Sequence, residues 1–136
     1  MECVGTDHHC DYCGLNPIIF THWCWSKVSV GANLTATTNT TLFTIPTGYY
    51  GRVTLLRAAN ASGSNKHITF DWTDTSAAAT YSLVYQTAVT SKTTQDWGSS
   101  MAYFVMEEGD ILKATSESAS TFAVAVTIEL EGVSRT

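Results

Sequence analysis

The chain has 136 residues, the size of one domain, and 44% of them are hydrophobic, so it is able to bury a core of its own. Only 14% are charged, against about 25% in an average soluble domain, which favours strands and association over solvated helices. The net charge of -5 argues against a basic surface for a phosphate backbone, so we expect no nucleic-acid partner. No apolar run reaches the ~18 residues that a membrane span requires, so we expect no membrane partner.

Residues 1–26 differ in chemistry from the rest of the chain. They contain all four cysteines, three of the four histidines and two of the four tryptophans. No cysteine follows Cys24. This break predicts two parts: an extended Cys/His/Trp-rich arm over residues 1–26 and a β-sandwich domain over residues 27–136.

The arm carries a possible zinc site. Cys10 and Cys13 are separated by two residues, a spacing that lets both sulfurs bind one tetrahedral ion at about 2.3 Å. A second close pair is missing, so other cysteines and histidines have to complete the site. The candidate ligands are Cys3, His8, Cys10, Cys13, His22 and Cys24, with His9 as an alternative to His8. One or two disulfides, or four free thiols, fit the same residues equally well.

Aromatic residues at the end of the arm indicate a contact. Phe20, Trp23 and Trp25 do not belong to a strand with sandwich parity, so they either fold back on the domain or insert into a neighbour. The domain's own strands supply enough apolar residues to fill its core, which favours the neighbour. We therefore predict Phe20, Trp23 and Trp25 as interface residues.

From residue 27 onward the pattern is one of strands separated by turns. The predicted strands cover residues 27–36, 41–45, 50–60, 66–73, 80–86, 92–97, 101–106 and 110–132, the last dividing at 116–120. The clearest signal lies at residues 122–130, where a large apolar side chain at every second position predicts one buried face. Turn signals recur at intervals of roughly 8 to 12 residues, and the strongest is Pro46-Thr47-Gly48. We predict an all-β fold, a two-sheet antiparallel β-sandwich that is jelly-roll-like.

Parity within these strands predicts the core. The expected buried side chains are Val28, Val30, Leu42, Ile45, Val53, Leu55, Ile68, Phe70, Trp72, Tyr81, Leu83, Phe104, Leu112, Phe122, Val124, Val126 and Ile128. Each fully buried large side chain stabilises the fold by about 1.5 to 3 kcal/mol. Such a set is sufficient to hold the domain together without disulfides.

The signatures of common hydrolases, metalloproteases and nucleotide-binding proteins are missing from the sequence. Carboxylates do cluster, at Asp71 with Asp74 and at Glu107 with Glu108 and Asp110. A glycosidase needs two carboxyl groups facing each other about 5 to 9 Å apart across a cleft, whereas we expect these to lie apart, at separate hairpin ends. Calcium at the first pair is a weaker alternative, because that ion requires six or more oxygens. We therefore predict no catalytic residues and no enzyme.

Four aromatic residues suggest a further option. Tyr49, Tyr50, Trp72 and Trp97 are candidates for a platform on which sugar rings stack, as on many β-sandwich binding modules. For Trp72, however, strand parity favours a position in the core beside Phe70.

Two segments of the chain resemble small β-sandwich virion proteins of tailed bacteriophages. They are residues 41–60, TLFTIPTGYYGRVTLLRAAN, and residues 106–115, MEEGDILKAT. In those proteins a strand leads into Pro-x-Gly, a long strand ends near Asn, and a late Gly-Asp turn precedes strands that end close to a Glu. The resemblance covers roughly residues 28–132, and the arm departs from it. It implies a non-enzymatic part of the particle: a capsid decoration or cement subunit, or a neck, tail or fibre component.

These inferences together predict a homo-oligomeric virion structural protein, with a trimer as one option. The start of the chain lacks the basic and apolar segments of a signal peptide, so we expect synthesis in the host cytoplasm. We expect a capsid decoration or cement subunit that the arm anchors to a second copy or to another virion protein, such as the major capsid protein. Zinc in the arm is the one expected cofactor. The alternatives are a neck, tail or fibre component with a glycan-binding sandwich, and a small metal-dependent enzyme.

Overall fold

The computed structural model describes residues 25–99 and 102–132, and this part of the chain consists of β-strands and turns. The strands are β1 (Trp25–Leu34), β2 (Thr40–Thr44), β3 (Tyr49–Asn60), β4 (Lys66–Asp74), β5 (Ala79–Val89), β6 (Thr94–Trp97), β7 (Phe104–Met106), β8 (Ile111–Ser116) and β9 (Phe122–Gly132). Every predicted strand is present, and the last one divides as expected. Within the described residues, no helix has the length and apolarity of a membrane span.

The strands form two antiparallel sheets. Sheet A has the order β1-β9-β3-β6, with β7 also paired to β3, and sheet B has the order β2-β8-β4-β5. The chain therefore behaves like a long hairpin folded over on itself, pairing β1 with β9, β2 with β8, β3 with β6 and β7, and β4 with β5. This is the strand order of a jelly roll in which the edge strand beside β3 is divided into β6 and β7. The predicted fold class is confirmed.

Strand β9 lies inside sheet A and is paired on both sides. It pairs with β1 over ten residues and with β3 over eleven. Its inward residues, Phe122, Val124, Val126, Ile128 and Leu130, are at most 7% exposed. Their alternation with outward residues gives sheet A one face in the core and one face toward solvent.

The predicted core is largely confirmed. Ten of the seventeen expected side chains are buried: Leu42, Ile45, Val53, Ile68, Phe70, Leu112, Phe122, Val124, Val126 and Ile128. Five more are partly buried and pack against them: Val28, Val30, Trp72, Leu83 and Phe104. Buried apolar residues outside the list of seventeen are Leu34, Leu56, Ala58, Val84, Val89, Met106, Ala114 and Leu130.

The predictions for Leu55 and Tyr81 are wrong, for two different reasons. A register shift between Val53 and Leu55, where β3 pairs with β9, leaves Leu55 partly exposed and buries Leu56 instead. The bulge in β3 adds one residue to that strand, so a strict period of two no longer holds beyond it. Tyr81 keeps its parity, since it pairs with Trp72 and the two ring centroids lie 5.2 Å apart, but it is 49% exposed near the start of the edge strand β5.

The turn after β2 forms as predicted around Gly48. Its backbone has a φ of +90°, which is open to glycine at little cost. The N–H of Tyr49 donates to the carbonyl of Pro46 at 3.2 Å, so Thr47 and Gly48 are the two corner residues.

Gly51, by contrast, is required by packing rather than by a turn. It lies inside β3, where a Cβ would collide with Cδ1 of Ile45 and would lie 3.2 Å from Cγ2 of Ile128. Both isoleucines are fully buried. The core therefore fills the space that a side chain at residue 51 needs.

We expect Gly51→Ala to lower the free energy of unfolding by about 1 to 3 kcal/mol, the usual cost of overpacking. Gly31→Ala is the matched control, because residue 31 also lies within a strand and its Cβ would meet only the carbonyl oxygen of Val124 at 3.7 Å. We expect that control to change stability by less than about 0.5 kcal/mol. Urea denaturation measures both, and equal effects would contradict the packing argument.

Candidate functional site

The predicted zinc ligands and most predicted interface residues lie outside the described residues. This group comprises Cys3, His8, His9, Cys10, Cys13, Phe20, His22, Trp23 and Cys24. Trp25 begins β1, and its backbone pairs with Glu131 of β9. The zinc site and the interface of the arm therefore stay predictions.

The two tryptophans of the domain are held by other side chains. The Trp72 ring packs edge-on against Phe104 at 4.8 Å between centroids, and its Nε1 donates to Asp110 at 2.9 Å. The Trp97 ring packs edge-on against Phe70 at 5.8 Å. Together with Tyr49, both tryptophans are partly buried against the core, so they do not form an exposed platform with Tyr50.

Asp74 was expected to lie apart from Glu107 and Asp110, but the three carboxylates come together. Asp74 is the last residue of β4, and Glu107 and Asp110 belong to the turn between β7 and β8. One carboxylate oxygen from each lies within 4.8 Å of the others. The two turns are separate along the chain but meet at one end of the sandwich, so this expectation is wrong. Asp71 is not in the cluster, and its oxygens accept hydrogen bonds from Asn39 and Ser82.

Asp110, which is 1% exposed, is the centre of this end of the fold. One carboxylate oxygen accepts hydrogen bonds from Trp72 Nε1 and the Glu107 N–H, both at 2.9 Å. The other oxygen accepts from the N–H and Oγ1 of Thr75, at 3.1 and 3.2 Å. Four donors therefore satisfy the buried charge. These hydrogen bonds hold the β4–β5 turn against the β7–β8 turn.

The same turn also binds the β2–β3 connection. A carboxylate oxygen of Glu108 accepts the Gly48 N–H at 2.7 Å, and the Gly109 N–H donates to the carbonyl of Ile45 at 2.9 Å. Of the other two carboxylates in the cluster, Asp74 accepts hydrogen bonds from the Ser76 hydroxyl and the Ala77 N–H. Glu107 faces solvent. The three carboxylates bring one oxygen each to the cluster, which is fewer than the six or more oxygens that calcium prefers.

A shallow groove lies on the outer face of sheet A, where β3, β7 and β9 run side by side. We call it the Tyr50 groove. It has a volume of about 220 Å³ and is lined by Tyr50, Gly51, Arg52, Tyr103, Val105, Glu129 and Glu131. Tyr50, Tyr103 and Val105 are 45%, 46% and 51% exposed. These are three of the five large apolar side chains most exposed in the described part of the chain, and here they share one surface.

Ion pairs fix the floor of the Tyr50 groove. The Arg52 guanidinium contacts one oxygen of Glu129 through Nη2 at 2.6 Å and Nε at 3.1 Å. The other oxygen of Glu129 lies 3.6 Å from Lys27 Nζ. The hydrogen bond to Glu129 is the main reason that the pKa of Arg52 is raised. The guanidinium carbon also lies 4.8 Å from the centre of the Tyr103 ring, a cation–π contact.

Sequence reasoning named Tyr50 but missed Tyr103 and Val105. A signal was present, because the predicted strand 101–106 has Phe104 facing the core and its two neighbours must then face outward. Alternation within one strand does not show which other strand it pairs with. Only the pairing of Val105 opposite Arg52 brings these side chains next to β3.

A second polar contact joins β4 to the loop after β8. Glu117 accepts the His67 N–H at 2.7 Å with the same oxygen that lies 2.8 Å from His67 Nδ1. The backbone hydrogen bond is the main cause of a lowered Glu117 pKa. Both side chains are exposed, at 51% for His67 and 40% for Glu117. The contact therefore lies on the surface and holds the loop after β8 to β4.

Comparisons with known proteins bear on the fold. No protein-family model matches the chain, and no curated protein sequence matches it. A chain of the acid-stable capsid of the Helicobacter pylori bacteriophage KHP30 has 12% identity and a TM-score of 0.50, over 81% of this chain and 94% of that one. A chain of the disulfide-linked pili of Bacillus endospore appendages has 15% identity and a TM-score of 0.44, over 81% and 88%. At these identities the capsid chain shows a shared fold and nothing beyond it.

We expect Asp110→Asn to lower the free energy of unfolding by about 1 to 3 kcal/mol, because an amide nitrogen would face backbone or indole N–H donors. Asp96→Asn is the matched control. Asp96 forms an exposed ion pair with Arg57 at 2.6 Å, and exposed pairs contribute little. Chemical denaturation of both variants tests whether the Asp110 hydrogen bonds stabilise the fold. An equal loss of unfolding free energy for Asp96→Asn and Asp110→Asn would contradict that role.

We expect the Glu117 carboxyl to titrate below its ordinary pKa of 4.5 in an NMR titration. Because the pKa is lowered by folding, its contribution to stability is present above the unfolded value and is lost as the pH falls through the lowered value. The main donor is a backbone N–H, so His67→Ala should retain much of the effect. A Glu117 pKa at or above the ordinary value would contradict the hydrogen-bond pattern.

Proposed function

We propose that this chain is a non-enzymatic structural subunit of a phage-type virion, most simply a capsid decoration or cement subunit. It assembles with copies of itself, and the arm of residues 1–26 anchors it to a neighbouring copy or to another particle protein. The sandwich is the rigid body of the subunit. Its working surface is the outside of the sheets rather than a pocket between them.

The observation that carries this proposal is the packed interior. Ile68, Phe70, Leu112, Val126 and Ile128 have no exposed surface. The most buried polar side chains are also engaged, since the Asp110 carboxylate accepts from four donors. The Asn60 amide likewise donates to two carbonyls and accepts from Ser62. These buried polar side chains are therefore bound within the fold and are not free to bind a substrate.

The surface supports the same proposal. The Tyr50 groove brings two exposed tyrosines together with the partly exposed Arg52, and tyrosine and arginine are residue types enriched at the centres of protein interfaces. The capsid chain of bacteriophage KHP30 has the same fold, which is compatible with a body built for packing into a shell. A subunit that buries about 800 Å² with each of several neighbours stiffens such a shell by repetition.

We expect native mass spectrometry and light scattering of the full-length chain to detect a homo-oligomer. The arm double variant Phe20→Ser with Trp23→Ser should shift the mass toward monomer, because it removes apolar anchors while leaving the strands of the domain unchanged. Tyr85→Ser is the control, since Tyr85 is 67% exposed on β5 in the other sheet. The same spectra, recorded with and without a chelator, report bound zinc.

A metal-free monomer whose arm is cut by protease as fast as an unfolded peptide would contradict the proposal. Labelling of intact virions with an antibody against the chain tests the assignment to a particle. A chain that oligomerises but is found only free of particles would contradict that part.

A further inference from the structure

We propose that the Tyr50 groove is the receptor for the arm of a neighbouring copy, with residues 17–24 as its occupant. This inference rests on the proposed function, because it requires that copies assemble through their arms. It adds the receiving surface and the direction of the contact. Each copy contributes an arm to one neighbour and a groove to another.

The size and chemistry of the groove favour side chains over a small molecule. Its volume of about 220 Å³ is below the roughly 300 to 1,000 Å³ of most small-molecule sites. The Tyr50 and Tyr103 rings and the Val105 methyl groups are apolar walls for an aromatic side chain. Arg52 is already held by Glu129 and the Tyr103 ring, so an occupant meets a pre-organised surface.

The arm leaves the sandwich at the end where the groove lies. Residue 25 of β1 pairs with Glu131 of β9, which in turn pairs with Tyr50 of β3. One cross-strand row thus joins the base of the arm to the groove. At about 4.8 Å per strand, the two are separated by only about 10 Å.

The sequence next to β1 favours a neighbour's groove over the chain's own. Residues 18–24 read IIFTHWC and contain no glycine, proline, asparagine or aspartate, so they lack the usual turn residues. β-branched and aromatic residues favour an extended chain instead. At about 3.3 Å per residue, seven extended residues would span roughly 23 Å, whereas binding to the chain's own groove would require an immediate reversal.

Complementary groups exist on both sides of the proposed contact. Phe20 and Trp23 supply the aromatic anchors, and the Glu131 carboxylate at the groove wall suits an indole or imidazole N–H from Trp23 or His22. The contact is heterologous, because an arm binds a groove and not another arm. Repeated around an axis, such contacts close into a ring.

A photo-crosslinking residue at position 105 tests the contact directly. Val105 is 51% exposed, so the folded protein tolerates replacement there. We expect a 1:1 mixture of light and heavy isotope-labelled full-length chains to give cross-linked peptides that join position 105 of one copy to residues 17–24 of another. The same residue at position 85, on β5, is the control and should not capture the arm. Cross-links from position 105 only within one copy, or only to strands of another copy, would overturn the inference.

Substitutions in the groove supply an independent measurement. We expect Tyr50→Ser with Tyr103→Ser to weaken oligomerisation by about tenfold or more, as loss of aromatic anchors does, and Tyr85→Ser to leave it unchanged. Adding Trp23→Ser to the groove variant should cause little further loss, because both changes remove the same contact. A cooperative thermal unfolding transition of the monomeric variant verifies its fold.

The two proposals fail in different ways. A wild-type chain that is monomeric at all concentrations removes the proposed function and this inference together. A stable wild-type oligomer that the groove substitutions leave intact, with position 105 cross-linking elsewhere, removes only the groove as the receptor.

Discussion

The double pairing of β9 is the constraint on which the rest of the molecule depends. With β1 on one side and β3 on the other, its alternating residues decide at once which side of sheet A is core and which is surface. The inward residues are among the most buried in the described chain. Its outward residues include Glu129 and Glu131, which line the Tyr50 groove. The strand that closes the core thus also builds the surface proposed for assembly.

The turn between β7 and β8 is the second organising feature. It is bound to the β2–β3 connection through Glu108 and Gly109 and to the β4–β5 turn through Asp110. These contacts are all local to one end of the sandwich, and they fix the short strand β7 beside β3. Because β7 carries Val105 and follows directly from Tyr103, the turn that holds the carboxylate cluster also supports one wall of the Tyr50 groove.

Particular residues mark the limits of sequence reasoning. The alternation at residues 122–130 predicted the buried face of β9 correctly, because a regular strand obeys a period of two. Leu55 and Tyr81 were assigned to the core by the same rule, which failed at Leu55 because a bulge shifts the register of β3 and at Tyr81 because β5 is an edge strand. Asp74 was expected to stay apart from Glu107 and Asp110 because its turn is distant from theirs along the chain. Tyr103 and Val105 were missed as a surface because β7 acquires its neighbours only through pairing with β3.

The sequence by itself determined the strands, most of the core and the chemical break between the arm and the domain. These properties follow from local patterns: side-chain alternation, turn residues and composition, which each segment carries wherever it lies. Only the tertiary structure decided the strand order, the convergence of the carboxylates and the shape of the Tyr50 groove. Strand pairing is a choice between segments far apart in the chain, set by how two faces pack together, and no single segment records which partner it takes.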